Sequence, residues 1–259
     1  MRLFLCAFLA GFCITAPAQN EYSWLSMDTR LPLHQPEHPA IWGIQKGHYL
    51  LCQQSLPYTL PSLSISRLGW THQSTSQGIT LLLEREGPVT YRRLSVTSAY
   101  RKQLSPTVAL GSAWTINRIT QFEDNRALHS LLTRWEIAWK PNEQFMLTST
   151  WCNPQSLFQS QSTGTALGIS ICYNANRNVR ILADLNAGPN STPTAGFACA
   201  ISPADQITLY LGKPGGPSLL ALGSAFDIHP CSCQITWTIH PILGSSFTCS
   251  LIRYVEKRV

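Results

Sequence analysis

Residues 107–117 read TVALGSAWTIN. A β-strand sends successive side chains to opposite faces. Val108, Leu110, Ser112, Trp114 and Ile116 therefore share one face, while Thr107, Ala109, Gly111, Ala113, Thr115 and Asn117 share the other. One face is greasy. The other is too small and too polar to make a hydrophobic core with a second sheet. A chain built from such segments has to find an apolar medium for one face and something to fill the space beside the other.

The pattern recurs. ALGISICYN (166–174) sets Leu167, Ile169, Ile171 and Tyr173 against Gly168, Ser170, Cys172 and Asn174. SLLTRWEIAW (130–139) sets Leu131, Thr133, Trp135, Ile137 and Trp139 against Leu132, Arg134, Glu136 and Ala138. We count about fourteen such segments (range 12–14): 47–55, 61–71, 78–85, 90–101, 107–117, 128–139, 144–152, 164–173, 178–187, 194–201, 206–212, 218–228, 233–240 and 246–254. Most are close to the roughly 9–11 residues a tilted strand needs to cross a bilayer. No stretch carries helical periodicity.

Lipid explains the greasy face better than a second sheet does. Charged residues make up 12% of the chain, about half the roughly 25% usual for soluble domains. Trp114, Trp135, Trp139, Trp151 and Trp237 all fall on the apolar face, as a lipid-facing aromatic girdle requires. An even number of strands closes without an edge, which lipid demands. Tight gaps at Lys140–Glu143, Asn174–Arg177 and Ser202–Asp205 alternate with long polar ones at 118–127 and 153–163, as periplasmic turns alternate with outer loops. The expectation is an all-β, antiparallel transmembrane barrel of about fourteen strands over 47–259. A soluble exported β-sandwich is the competing architecture.

The N-terminus, MRLFLCAFLAGFCITAPAQN, reads as a signal peptide over 1–18, with Arg2, an apolar run and Ala16-Pro17-Ala18 before Gln19. Such a leader directs export, here to a Gram-negative outer membrane. Residues 19–46 hold Pro32, Pro36 and Pro39 with little alternation, an irregular segment that plugs the lumen or caps its periplasmic rim. Seven cysteines follow the leader, an odd number at irregular spacing, so no disulfide framework is indicated. Cys231-Ser-Cys233 lacks a second pair at zinc-finger spacing, and we expect neither metal nor cofactor. The net charge of +6 is scattered, without a basic stripe for nucleic acid.

Three stretches carry a resemblance. His38-Pro39-Ala40 through PYTLPSLS (57–64), LSVTSAYRKQLSPTVALGSAW (94–114) and the closing HPILGSSFTCSLIRY (240–254) resemble Bacteroidota outer-membrane barrels. These are the PorV/PorQ-like proteins of type IX secretion and their relatives, which share a FadL-like barrel. The resemblance implies a non-enzymatic accessory or scaffold role, in a lipid bilayer and with secretion-machinery or other envelope proteins as partners. It also implies a second function, passive transport of small or hydrophobic solutes. No catalytic or binding residue transfers with it. A glycan-binding sandwich is the third reading.

Catalysis has little support in the residues. His129 and Ser130 are adjacent, so along a strand they point to opposite faces and cannot form a base–nucleophile pair. His38, His229 and His240 each precede proline, an extended or turn geometry. The chemistry sits with the inward charges. The strand registers turn Arg93, Arg134, Glu136, Arg180, Asp184 and Asp227 into the lumen, as a salt-bridge network or as a polar constriction that selects solutes.

Overall fold

The computed structural model describes residues 47–88, 91–121, 127–156, 165–188, 192–214 and 220–255. The leader at 1–18 and the irregular segment at 19–46 lie outside the described residues. The alternating segments form fourteen strands: β1 (Gly47–Leu56), β2 (Ile65–Gln73), β3 (Gln77–Glu86), β4 (Tyr91–Gln103), β5 (Val108–Gln121), β6 (Ala127–Trp139), β7 (Phe145–Ser156), β8 (Ala166–Asn174), β9 (Val179–Ala187), β10 (Thr194–Ala204), β11 (Ile207–Lys213), β12 (Leu220–Ile228), β13 (Cys231–His240) and β14 (Gly244–Val255). Each pairs antiparallel with its sequence neighbours, and β1 pairs with β14 from His48↔Val255 to Leu56↔Phe247, closing the barrel. Closure leaves no unpaired edge, so the backbone is satisfied wherever lipid surrounds it.

The two faces separate cleanly. Every strand presents at least one large exposed apolar side chain outward, among them Leu68, Val96, Ile116, Ile137, Ile169 and Phe226. A soluble monomer rarely exposes an apolar patch of more than a few hundred Å²; here the apolar surface runs right round the wall. Inside, hydroxyl pairs bridge neighbouring strands. Thr71 and Thr80 share a hydrogen bond of 2.6 Å, Thr97 and Thr115 one of 2.8 Å, and Thr248 donates to Ser55 Oγ at 3.0 Å. This is a polar lining of the kind outer-membrane barrels have.

Turns at one end are tight for a local reason. Asn142 Oδ1 accepts the backbone N–H groups of Gln144 and Phe145 at 3.0 and 2.8 Å, and Asn176 Oδ1 accepts those of Asn178 and Val179, both at 2.8 Å. An asparagine side chain thereby tightens each turn, in the second beside a backbone bond from Ala175 N–H to the Val179 carbonyl at 3.0 Å. The start of β1 and the end of β14 lie at this same short-turn end.

Three expected boundaries move. Residues 61–63 form a 3-10 turn, not the start of β2, because Pro61 fixes φ and brings no N–H to a ladder. β5 continues to Gln121 and β7 to Ser156, into stretches read as loops. Those ends are polar, as with Arg118 and Thr120 on the outer face, so hydropathy marks the limit of the apolar band while strand pairing runs on past it.

Candidate functional site

The lumen wall is the site, and register decides what meets there. At the long-loop end, Arg67 of β2 faces Glu84 of β3, and Glu86 of β3 faces Arg93 of β4. Arg67 donates through Nε to Glu84, Arg93 Nη2 donates to Glu84 Oε1 at 3.1 Å, and Arg93 Nη2 lies 2.6 Å from Glu86 Oε2. Gln53 Oε1 of β1 lies 3.5 Å from Arg67 Nη1, extending the ladder across four strands. Glu84 is buried and holds two arginines, so each charge has a counter-ion in a region poor in water.

An apolar layer occupies mid-height. Leu51, Gly69 and Leu82 sit in one row across β1–β3, and a Cβ on Gly69 would meet Leu82 Cδ1 at 3.2 Å and Leu51 Cβ at 3.3 Å. The missing side chain lets the two leucines cover it. Tyr210 lies over Gly223 in the same manner, its Cδ2 3.4 Å from where a Cβ would be. Tyr49, packed edge-on against Tyr254 at 5.1 Å, joins Leu182, Met146 and Ile252 in the cluster.

Charges recur beside this layer. Arg134 and Glu136 of β6 and Arg180 and Asp184 of β9 are buried on the inner face, and Asp227 of β12 is half-buried there. Asn186 Nδ2 donates to Asp184 Oδ2 at 2.9 Å. That asparagine fits because Gly168 stands opposite it: a Cβ there would fall 2.7 Å from Asn186 Oδ1. Arg180 also lines a cavity of ≈ 370 Å³ at the short-turn end, with Glu143, Gln144, Asn174, Arg177 and Ser202 among its walls.

Register thus brings Arg93 together with Glu84 and Glu86 and leaves the other five expected residues on β6, β9 and β12. Arg67, Glu84, Glu86 and Arg101 of the same wall were missed by sequence reasoning. In β3 the run Leu81-Leu82-Leu83 hides the alternation that would have turned Glu84 and Glu86 inward. In β4 the row Ser95, Thr97, Ala99 leads straight to Arg101 and was the available signal.

On the outer face Trp135 stands directly across from Trp151, and Trp114 packs edge-on to Trp135 at 6.1 Å. Trp139 meets Phe145 at 6.4 Å beside the short turn, and Trp237 stacks on Phe247 at 6.1 Å. Ser130 accepts a hydrogen bond from Asn117 Nδ2 at 3.2 Å on the inner face, and its neighbour His129 lies on the other side of the strand, opposite Arg118.

Among known proteins no family model matches the chain, and no curated protein does. Solved structures do. The CymD monoaromatic hydrocarbon channel superposes with a TM-score of 0.61 at 8% identity, covering 90% of this chain and 94% of that one. The toluene transporter TodX of Pseudomonas putida gives 0.62 at 8% identity, over 83% of this chain and 91% of its own. The toluene transporter TbuX of Ralstonia pickettii gives 0.58 at 8% identity, over 87% and 94%. At these identities the likeness is one of fold: the chain is a closed, antiparallel fourteen-stranded barrel of the kind outer-membrane barrels have. The PorV/PorQ-like resemblance has no counterpart among these matches.

Proposed function

We propose that the barrel sits in an outer membrane and provides a passive path for small, largely apolar solutes. The observation that carries this reading is the lumen wall, where an apolar layer around Leu51, Leu82, Leu182 and Tyr210 continues into rows of hydroxyls and charges. Apolar groups give a hydrophobic solute a surface to move along, and a few polar groups orient it. The barrels with the same fold are described as a monoaromatic hydrocarbon channel and toluene transporters, which supports passage over a scaffold role.

The test is entry of toluene into vesicles whose outer leaflet is lipopolysaccharide, with and without refolded protein. Faster entry with the protein supports the reading, and equal rates overturn it. The accessory role implied by the sequence resemblance rests on 38–64, 94–114 and 240–254 alone, and no contact among the described residues favours it. Secretion components retained on the barrel in mild detergent would support it.

A further inference from the structure

The outer face of the barrel changes character at the long-loop end of β3–β5. Leu83, Val96 and Ile116 form one outward row there, each directly opposite the next. The following row, nearer the loops, reads Arg85, Leu94 and Arg118. Arg92 stands one outward position beyond Leu94, opposite Thr120. Neighbouring strands lie roughly 4.8 Å apart, so three guanidinium side chains surround Leu94 immediately above an apolar wall.

These cations have no counter-ion in the protein. Arg85 and Arg118 are exposed and Arg92 is half-buried. Among the described residues none of the three makes a side-chain hydrogen bond or an ion pair, and Arg92 Nε is buried without a partner. The nearest carboxylates, Glu84 and Glu86, point to the lumen and are held there by Arg67 and Arg93. The rim is also lopsided. Among the described residues the other strands add one outward Lys or Arg at this end, Lys213 of β11. Like charges held together repel, and an anion between them relieves that repulsion.

We propose that Arg85, Arg92 and Arg118 bind a phosphate group of lipopolysaccharide in the outer leaflet. Outer-membrane barrels turn their long loops to the outside, which sets this patch at the level of that leaflet's head groups. Arginine lays its stem along apolar surface and keeps its charge in the polar layer, and its planar fork fits phosphate oxygens. Leu83, Val96 and Ile116, directly below, meet the acyl chains. That continuity favours a phosphate carried on a lipid over a free one. The inference rests on the barrel's place in an outer membrane and is independent of passage through the lumen.

The test heats the refolded full chain in a zwitterionic detergent with increasing diphosphoryl lipid A. Dephosphorylated lipid A controls for the acyl chains, and inorganic phosphate for the free anion. Diphosphoryl lipid A raises the unfolding temperature progressively with concentration, as a ligand of the folded state does. The dephosphorylated form gives a smaller rise and inorganic phosphate none. Arg85→Gln/Arg92→Gln/Arg118→Gln loses most of the phosphate-dependent rise, while Lys213→Gln keeps it. Should the triple variant not refold, Arg85→Gln/Arg118→Gln, at the two exposed positions, takes its place with the same criteria. Equal rises from the two lipids, no rise from either, or a rise undiminished in the variant overturn the proposal. So does an equal rise from inorganic phosphate, which would assign the patch to a free anion. A barrel that responds to the lipid phosphate but does not speed toluene entry retains this site and loses the transport reading. One that speeds toluene entry without a phosphate-dependent rise does the reverse.

Discussion

Two parts of one wall treat charge in opposite ways. At the long-loop end of β2–β4, Arg67, Glu84, Arg93 and Glu86 interlock, each positive group against a negative one. At the short-turn end of the same β4, Arg101 faces glycine on both sides. Both regions arise from inward slots of neighbouring strands, so composition does not separate them. What differs is the residue that register places opposite: a counter-charge in one case, glycine in the other. A satisfied ladder holds strands together. A buried cation without a counter-ion costs stability instead.

The comparison can be broken at either end. Glu84→Ala should have the largest effect, because it removes the buried carboxylate that Arg67 and Arg93 share; we expect a loss of about 3–5 kcal/mol in urea unfolding of the refolded barrel. A loss below about 1 kcal/mol would mean that the ladder is screened as a surface pair is. Arg101→Met should move the other way. Removing an unpaired buried charge should raise the urea midpoint by the equivalent of about 1–3 kcal/mol, and a marked decrease would show that the arginine is satisfied. Glu86→Gln comes next. Its partner Arg93 keeps Glu84, so the loss should stay near 0.5–1 kcal/mol in the same assay. The smallest change belongs to the double variant Arg67→Met/Glu84→Leu, which replaces a paired couple with apolar volume while Arg93 retains Glu86. Its stability should lie within about 1 kcal/mol of the parent, the outcome known for buried ion pairs exchanged as a unit. Measured beside Glu84→Ala, it separates the worth of the pair from the penalty of breaking it.

Much of the barrel was legible in advance, and the reason is the period of two. A strand with one face in an apolar medium and one in a polar lumen has to alternate, and any slip by one residue exchanges the faces. All fourteen segments could therefore be located, including β11–β14, where hydropathy alternates least clearly. The misses follow from the same logic. Alternation says nothing where both faces are apolar, as at Leu81–Leu83, so Glu84 and Glu86 went unseen. It is also silent above the apolar band, where Arg118 and Thr120 are paired strand residues that read as loop.

The sequence alone determined that the chain forms strands, about how many there are, and which side chains face outward wherever hydropathy alternates, because these depend on local geometry and on the contrast between two media. The tertiary structure decided who meets whom. That Glu84 meets Arg67 across the β2–β3 ladder, that Asn186 fits against Gly168, and that Arg101 lies between Gly78 and Gly111 follow from register and closure. Register is set by turns and by pairing around the whole ring, through β1 and β14, which lie some two hundred residues apart in sequence. No single strand carries that information.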